Sequence, residues 1–479
     1  MLRLTILLLA SFGPTLAVSA AEKPNIIFIL VDDMGYGDPG CFNPNSKIRT
    51  PNIDALAENG LRLTDAHAPG PLCHMSRYGL MTGRYPFRVN VSRWPKQPLI
   101  HEGETTLPSL LKEAGYRTAM VGKWHLGFEE SGYDNPLPGG PVDRGFDSYF
   151  GIRASTDIPP YFYIRDSHAV QPPSGRIEAN RSEGWSPIQG KFWRSGGIAP
   201  NLKLDEVLPR FTDEAISVIK SHDGASEPLF LYLAYPAPHT PWLPSERFDG
   251  KSQAGLYGDF AEMTDAEIGR VLAALKSAGL EENSLVVFTS DNGPVWYDRD
   301  VERFGHDSCG PLRGMKADAW EAGHRMPMIV RWPGVTPAGS VSGQLVSFTD
   351  MLATVAEITG RELAPGEAPD SFSFAQILTG RSKATARKSL VIAAGKGIRM
   401  VRSGDWKFID GPGSGGFSER MDTPGKQKQK KALPAQLYDL SQDIGESHNL
   451  YGEQPERSKR MADLLKQISD APAHRNLPH

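Results

Sequence analysis

The sequence predicts an α/β fold on a mostly parallel central sheet with helices on both faces, followed by a small antiparallel sheet with a helix. Three observations carry this expectation. Asn25–Val31, Leu229–Ala234 and Leu285–Ser290 are continuous apolar runs, which is how strands buried on both faces read. Helical patterns stand between these runs, so strand and helix alternate. Beyond about residue 385 the pattern changes to short strands at meander spacing, namely Leu390–Ala393, Ile398–Val401, Trp406–Ile409 and Gln436–Asp439. A helix from Glu456 to Ile468 closes the chain.

Composition bounds the function classes. The 479 residues include 52 basic and 56 acidic side chains, a net charge of −4. That balance argues against nucleic acid or a membrane surface as a partner. Met1–Ala21 has a basic start at Arg3, an apolar run from Leu4 to Ala10 and small residues at Val18-Ser19-Ala20, the pattern of a secretory signal peptide. No later segment is long enough for a membrane span. The expected divisions are therefore a leader over 1–21, a catalytic domain over 22–385 and a C-terminal subdomain over 386–479, in a secreted or periplasmic protein. Three cysteines, Cys41, Cys73 and Cys309, are too few for a disulfide-built fold. Cys41 and Cys309 are left either as a pair or as two buried thiols.

The first strand ends in Asp32-Asp33-Met34-Gly35-Tyr36-Gly37-Asp38. Ligands of open α/β sheets bind outside the carboxyl ends of strands. Two adjacent carboxylates there are costly unless a positive charge sits between them, and a hard divalent cation suits oxygen donors. An acidic solvated loop is the plain alternative. Thr50 and Pro51 then open a helix that Gly60 closes, and Leu61–Thr64 returns as a strand. Next comes Cys73-His74-Met75-Ser76-Arg77, opening an apolar helix that Gly83 ends. Cys73 would sit at the helix N-terminus, where backbone N–H groups favour negative charge, with Arg77 one turn on. A buried structural cysteine is the competing reading.

Thr106 and Pro108 open another helix, and Arg117–Val121 follows as a strand that delivers Gly122-Lys123-Trp124-His125-Leu126-Gly127. Strand alternation would put Lys123 and His125 on one face, a pair suited to anion binding and proton transfer. The region from Gly127 to Pro200 is loop-rich, and aromatics such as Trp185 and Trp193 suit either stacking on a substrate ring or packing of the loop. Leu229–Ala234 leads to Pro238-His239-Thr240-Pro241, where prolines fix the backbone around the histidine. Leu285–Ser290 leads to Asp291-Asn292-Gly293, two more oxygen donors at a carboxyl edge.

These blocks, in this order, resemble the sulfatase family. The matching stretches are Asp32-Asp33-Met34-Gly35-Tyr36-Gly37-Asp38, Cys73-His74-Met75-Ser76-Arg77 with Met81-Thr82-Gly83-Arg84, Gly122–Gly127, Pro238–Pro241, Ser290–Gly293, Leu312-Arg313-Gly314-Met315-Lys316 and Trp320–Pro327. Met75 stands where the family has Pro or Ala, and Ala322 where it usually has Gly. The resemblance implies an alkaline-phosphatase-like sandwich and hydrolysis of a sulfate monoester of a carbohydrate or an aryl alcohol. It implies that a maturation enzyme oxidises Cys73 to formylglycine, the nucleophile, and that Arg77 orients it. It further implies Lys123 and Lys316 on the sulfate, His125 and His239 as proton carriers, and Ser155 in the pocket. By the same resemblance Asp32, Asp33, Asp291 and Asn292 hold a divalent metal, with calcium first and magnesium second. His306, upstream in a loop, is a further expected substrate contact. Two alternatives stay open: a phosphodiester or phosphonate monoester hydrolase on the same site, and a sulfated-glycan binder in which Cys73 is unmodified.

Overall fold

A computed structural model describes residues 23–222, 227–381, 387–421 and 433–477. The expected leader over 1–21 and the expected boundary at 385/386 both lie outside the described residues. The main sheet uses strands β1 (Asn25–Asp32), β2 (Leu61–His67), β3 (Arg117–Lys123), β4 (Ser148–Ile152), β5 (Leu229–Pro238), β6 (Ser284–Ser290), β7 (Arg325–Arg331) and β8 (Ser340–Ser342). Their order is β8-β2-β7-β6-β1-β5-β3-β4, and three shorter strands complete an eleven-stranded sheet. The run β6-β1-β5-β3-β4 is parallel throughout, whereas β7 is antiparallel to both β6 and β2. Every residue of β1, β5 and β6 is buried, as the continuous apolar runs require.

Two groups of helices cover the sheet. Helices α1 (Pro51–Glu58) and α4 (Val207–Lys220) both pack on α5 (Gly255–Ser277) on one face. Helices α2 (Cys73–Thr82), α3 (Leu107–Glu113) and α6 (Asp350–Thr359) contact one another on the other. Thr106 caps α3 through a reciprocal pair with Ser109. The cap expected of Thr50 on α1 comes from elsewhere. Its hydroxyl makes no cap bond, and the Asp265 carboxylate of α5 accepts from the N–H groups of Asn52 and Ile53 instead. A partner on another helix has replaced the local one.

The C-terminal part follows the predicted meander closely. Strands β9 (Ser389–Ala393), β10 (Arg399–Ser403), β11 (Trp406–Ile409) and β12 (Gln436–Asp439) pair antiparallel in sequence order, with helix α7 (Pro455–Asp470) against β9, β10 and β11. Their core includes Tyr85, Ala319 and Trp320 from the larger unit, so the two parts share buried surface. The aromatic Trp185 of the long loop packs against Trp242 and Phe304. All three cysteines are free thiols.

Arg387 ties the β9 approach to α6. Its guanidinium is buried and donates to both Asp350 oxygens, at 2.8 and 2.5 Å. Asp350 also accepts from the N–H groups of Ser347 and Phe372. Removing the cation would leave a buried carboxylate with amide partners only. Arg387→Ala is therefore expected to lower unfolding stability by about 3–5 kcal/mol, read from urea denaturation at neutral pH.

Candidate active site

The parallel register lines up four strand ends. Val31 pairs with Ser290, Asp32 with Pro238, Gly122 with Ala234 and Lys123 with Ile152. The side chains at and just past these positions therefore meet along one carboxyl edge: Asp32 at the end of β1 and Asp33 after it, His239 after β5, Lys123 at the end of β3, Asp291 and Asn292 after β6. Between Leu30 and Asp32 the pairing with β5 slips, which carries His239 out to Asp33, with Nε2 3.6 Å from the Asp33 Oδ2. Its Nδ1 bonds the Thr240 carbonyl at 2.6 Å.

Helix α2 brings its first residue to this edge. The Cys73 Sγ lies 3.4 Å from Asp32 Oδ1 and accepts from Lys316 Nζ at 3.3 Å. One turn on, the fully buried Arg77 donates from Nε and Nη2 to Asp291 Oδ2 at 3.0 and 2.9 Å, and from Nη1 to the Lys123 carbonyl at 2.8 Å. Its Nη2 is also 3.6 Å from Asp32 Oδ2. Lys123 Nζ bonds the same Asp32 oxygen, and Lys316 Nζ bonds Asp33 Oδ1 at 2.5 Å. Gly83 takes φ +63° and closes α2 as the sequence predicts.

Lys123 and His125 do not meet by strand alternation. The strand stops at Lys123, and His125 turns with φ +59° while its N–H bonds the Arg153 carbonyl at 3.1 Å. This turn sets its Nδ1 3.4 Å from the Ser155 hydroxyl, which brings Ser155 to the site. His306, expected as a substrate contact, is placed beside Asp38. It is buried, its Nδ1 accepts from the Lys47 N–H at 3.3 Å, and its Nε2 bonds Asp38 Oδ1 at 2.8 Å. Both ring nitrogens are engaged, and the ring supports Asp38. Asp38 in turn accepts from the Gly35 N–H at 2.6 Å and from Tyr257, whose hydroxyl also reaches the Asp33 carbonyl at 3.2 Å. Tyr257 was not legible in the sequence, because it lies on a helix whose pattern reads as ordinary packing.

Charge decides the protonation states. Burial alone would push the Asp32 carboxyl up, but Lys123, His239, Arg77 and Lys316 hold it well below the usual range. Burial, aided by the Asp32 charge, pushes Asp291 up against the pull of Arg77. Burial and then Asp32 push the Cys73 thiol up, so it is un-ionised at neutral pH and a weak nucleophile. Burial would lower Lys316, yet Asp33, Cys73 and Asp32 hold it well above its ordinary value. Burial and the charges of Lys123 and Arg77 hold His125 well below, as a neutral ring.

The donor chemistry fits a hard divalent cation. Asp32, Asp33 and Asp291 are carboxylates, and the Asn292 amide is fixed by Nδ2 donating to Asp33 Oδ1 at 2.6 Å and to the Gly293 carbonyl at 2.9 Å. That orientation leaves Asn292 Oδ1 buried and without a hydrogen-bond partner. A buried acceptor of this kind is costly unless something positive fills its place. Ligand atoms of Asp32 and Asp33 also lie within 4.8 Å of each other and of Cys73 and His239. A second cluster, His67, Glu321 and His324, has its atoms engaged: the two Nδ1 atoms meet at 2.9 Å and Glu321 bonds Arg402 and Lys407.

The chain is similar to known proteins over most of its length. The family model described as Sulfatase matches residues 24–361. An N-acetylgalactosamine-6-O-sulfatase of Bacteroides thetaiotaomicron is 33% identical, over 94% of this chain and 93% of its own. Human arylsulfatase A is 32% identical, over 96% of this chain and 89% of its own. A solved Bacteroides thetaiotaomicron structure concerned with glycosaminoglycan metabolism superposes with a TM-score of 0.80 at 32% identity, covering 94% of this chain and 100% of that one.

Arg77 is the cation shared by two of the three carboxylates. Arg77→Ala is expected to lower stability by about 3–5 kcal/mol in chelator-treated protein, measured by denaturant titration. Arg77→Lys is expected to recover only part, because an ammonium cannot supply the fork on Asp291 together with the bond to the Lys123 carbonyl.

Proposed function

The chain belongs to the sulfatase family, a group of sulfuric ester hydrolases with the alkaline-phosphatase-like fold, and from that premise we propose a formylglycine-dependent carbohydrate sulfatase. The observation that carries the reading is the Cys73 sulfur, held at the start of α2 between Asp32 Oδ1 and Lys316 Nζ. The substrate is a 6-O-sulfated N-acetylgalactosamine, a choice supported by the relative named for that activity. Export follows from the leader-like Met1–Ala21, and a maturation enzyme acts on Cys73. No helix among the described residues is long and apolar enough to cross a membrane.

Asp32, Asp33, Asp291 and Asn292 would hold the cation, Ca²⁺ in preference to Mg²⁺ because four oxygen donors with two neighbouring carboxylates suit the larger ion. Bound, a formylglycine supplies a hydrated carbonyl as nucleophile and the cation supplies Lewis-acid activation. The rest is done by the chain's own groups. Three carboxylates face three cations in the site, so an added dication leaves it net positive and attractive to an anionic ester. Lys123 and Lys316 hold the sulfate oxygens and offset charge that develops on them. His239 carries a proton at Nε2 to the leaving alcohol, its Nδ1 being tied to the Thr240 carbonyl. His125 accepts a proton from residue 73 at Nε2, with Nδ1 facing Ser155. Arg77 fixes the backbone and carboxylates around residue 73.

Peptide mass spectrometry of protein from its native host should find an aldehyde or its hydrate at Cys73, and the same protein should release sulfate from N-acetylgalactosamine 6-sulfate faster than from 4-nitrophenyl sulfate. An intact thiol at full occupancy would instead make the site a sulfated-glycan pocket. Faster turnover of a phenyl phosphonate ester would move the substrate class to phosphonates. In a separate measurement, Ca²⁺ at 100 times its Kd should stabilise the protein by about 2.7 kcal/mol in a thermal melt, and Asn292→Ala should abolish most of that gain.

A further inference from the structure

Among the described residues, His125 has no carboxylate or carbonyl partner of the kind that usually orients a proton-carrying imidazole. The ionisable groups around it are Lys123, Arg77, His74 and His239, and its ring makes a 3.4 Å contact to the Ser155 hydroxyl, long for a hydrogen bond. What fixes the ring plane is an aromatic face. Trp94 stacks on His125 with centroids 4.4 Å apart and planes at 6°. The same indole stacks on His74, the neighbour of Cys73, at 5.1 Å and 6°. Imidazoles on opposite faces of the indole would stand about 7 Å apart, two contact spacings of roughly 3.5 Å each. They are 6.2 Å apart and nearly parallel, so both lie side by side under one face.

The segment that carries Trp94 is anchored beside its target. Leu99 N–H donates to the Leu126 carbonyl at 2.9 Å. A Cβ on Gly127 would fall 2.2 Å from the Gln97 carbonyl oxygen, so the glycine two residues after His125 permits the approach. The indole Nε1–H is buried with no acceptor among the described residues, so stacking rather than a hydrogen bond sets the ring's orientation.

We propose that Trp94 is the positioning residue of His125, a roof whose single face holds the imidazoles of His125 and His74 in one plane and keeps water from them. The inference rests on the reading of His125 as a proton acceptor. It locates a functional residue outside every motif of the sequence.

The test is a double-mutant cycle on the full chain, with sulfate release from N-acetylgalactosamine 6-sulfate and 4-nitrophenyl sulfate as readout. Trp94→Ala should lower kcat by about 10- to 100-fold with a much smaller change in KM, and Trp94→Phe should recover most of the loss. On a His125→Ala background Trp94→Ala should cost nothing further. An unchanged kcat, or a full loss repeated on the His125→Ala background, would overturn the proposal. Carbethoxylation by diethyl pyrocarbonate, mapped by peptide mass spectrometry, reads the roof without turnover. His125 should label several-fold faster in Trp94→Ala than in the wild type or Trp94→Phe. Equal rates overturn the roof even if the protein hydrolyses no sulfate ester, an outcome that would by itself count only against the reading under Proposed function.

Discussion

The Arg77 guanidinium joins four elements at one buried point. It sits on α2, grips Asp291 after β6, approaches Asp32 at the end of β1 and donates to the backbone of Lys123 at the end of β3. Asp32 and Asp291 without counter-charge would not stay ionised in such a place, because burial pushes both carboxyls up. Arg77, Lys123 and Lys316 supply the balance, and each comes from a different part of the chain. Charge neutrality therefore demands that the first helix turn, the strand ends and the Lys316 loop be correctly placed together. The parallel sheet meets the demand because its register puts the ends of β6, β1, β5 and β3 side by side.

Backbone strain is concentrated in the same place. Among the described residues six non-glycine residues have positive φ, and three of them are Asp33, His125 and Ala317, the last adjoining Lys316. Each such conformation costs on the order of 1–3 kcal/mol and persists only where its surroundings over-determine it. The surroundings are visible: Asp33 is held by Tyr257, Asn292 and Lys316, and the His125 backbone by Arg153. The reward in geometry is that successive residues of one chain point at different partners.

The smaller sheet contributes to the site without lending it a side chain. Ala317 N–H bonds the Pro71 carbonyl, while its own carbonyl accepts from Gly395. Ala319 N–H bonds the Ser414 carbonyl, and Asp318 accepts from the hydroxyls of Ser414 and Ser418. The loop that presents Lys316 is thus clamped between the Cys73 turn on one side and the C-terminal segment on the other. Buried ion pairs of Glu321 with Arg402 and Lys407 extend the same junction. Position of the lysine is a property of both parts of the protein.

By itself the sequence determined the buried parallel strands β1, β3, β5 and β6, the C-terminal meander and the stretches that carry Asp32, Cys73, Lys123, His239, Asp291 and Lys316. These are local signals: apolar runs, caps, turn glycines and polar clusters at strand ends are all set by neighbours in the chain. Strand β4, inside the loop-rich region from Gly127 to Pro200, and the antiparallel β7 were not legible in the sequence. Only the tertiary structure decided that Asp265 rather than Thr50 caps α1, that His306 turns inward to Asp38, that His125 arrives by a left-handed turn, and that Trp94 covers it. Each of these depends on a partner tens or hundreds of residues away, whose position follows from sheet register and close packing. No spacing within the chain encodes such a contact, because register and burial are fixed only when all the strands pack at once.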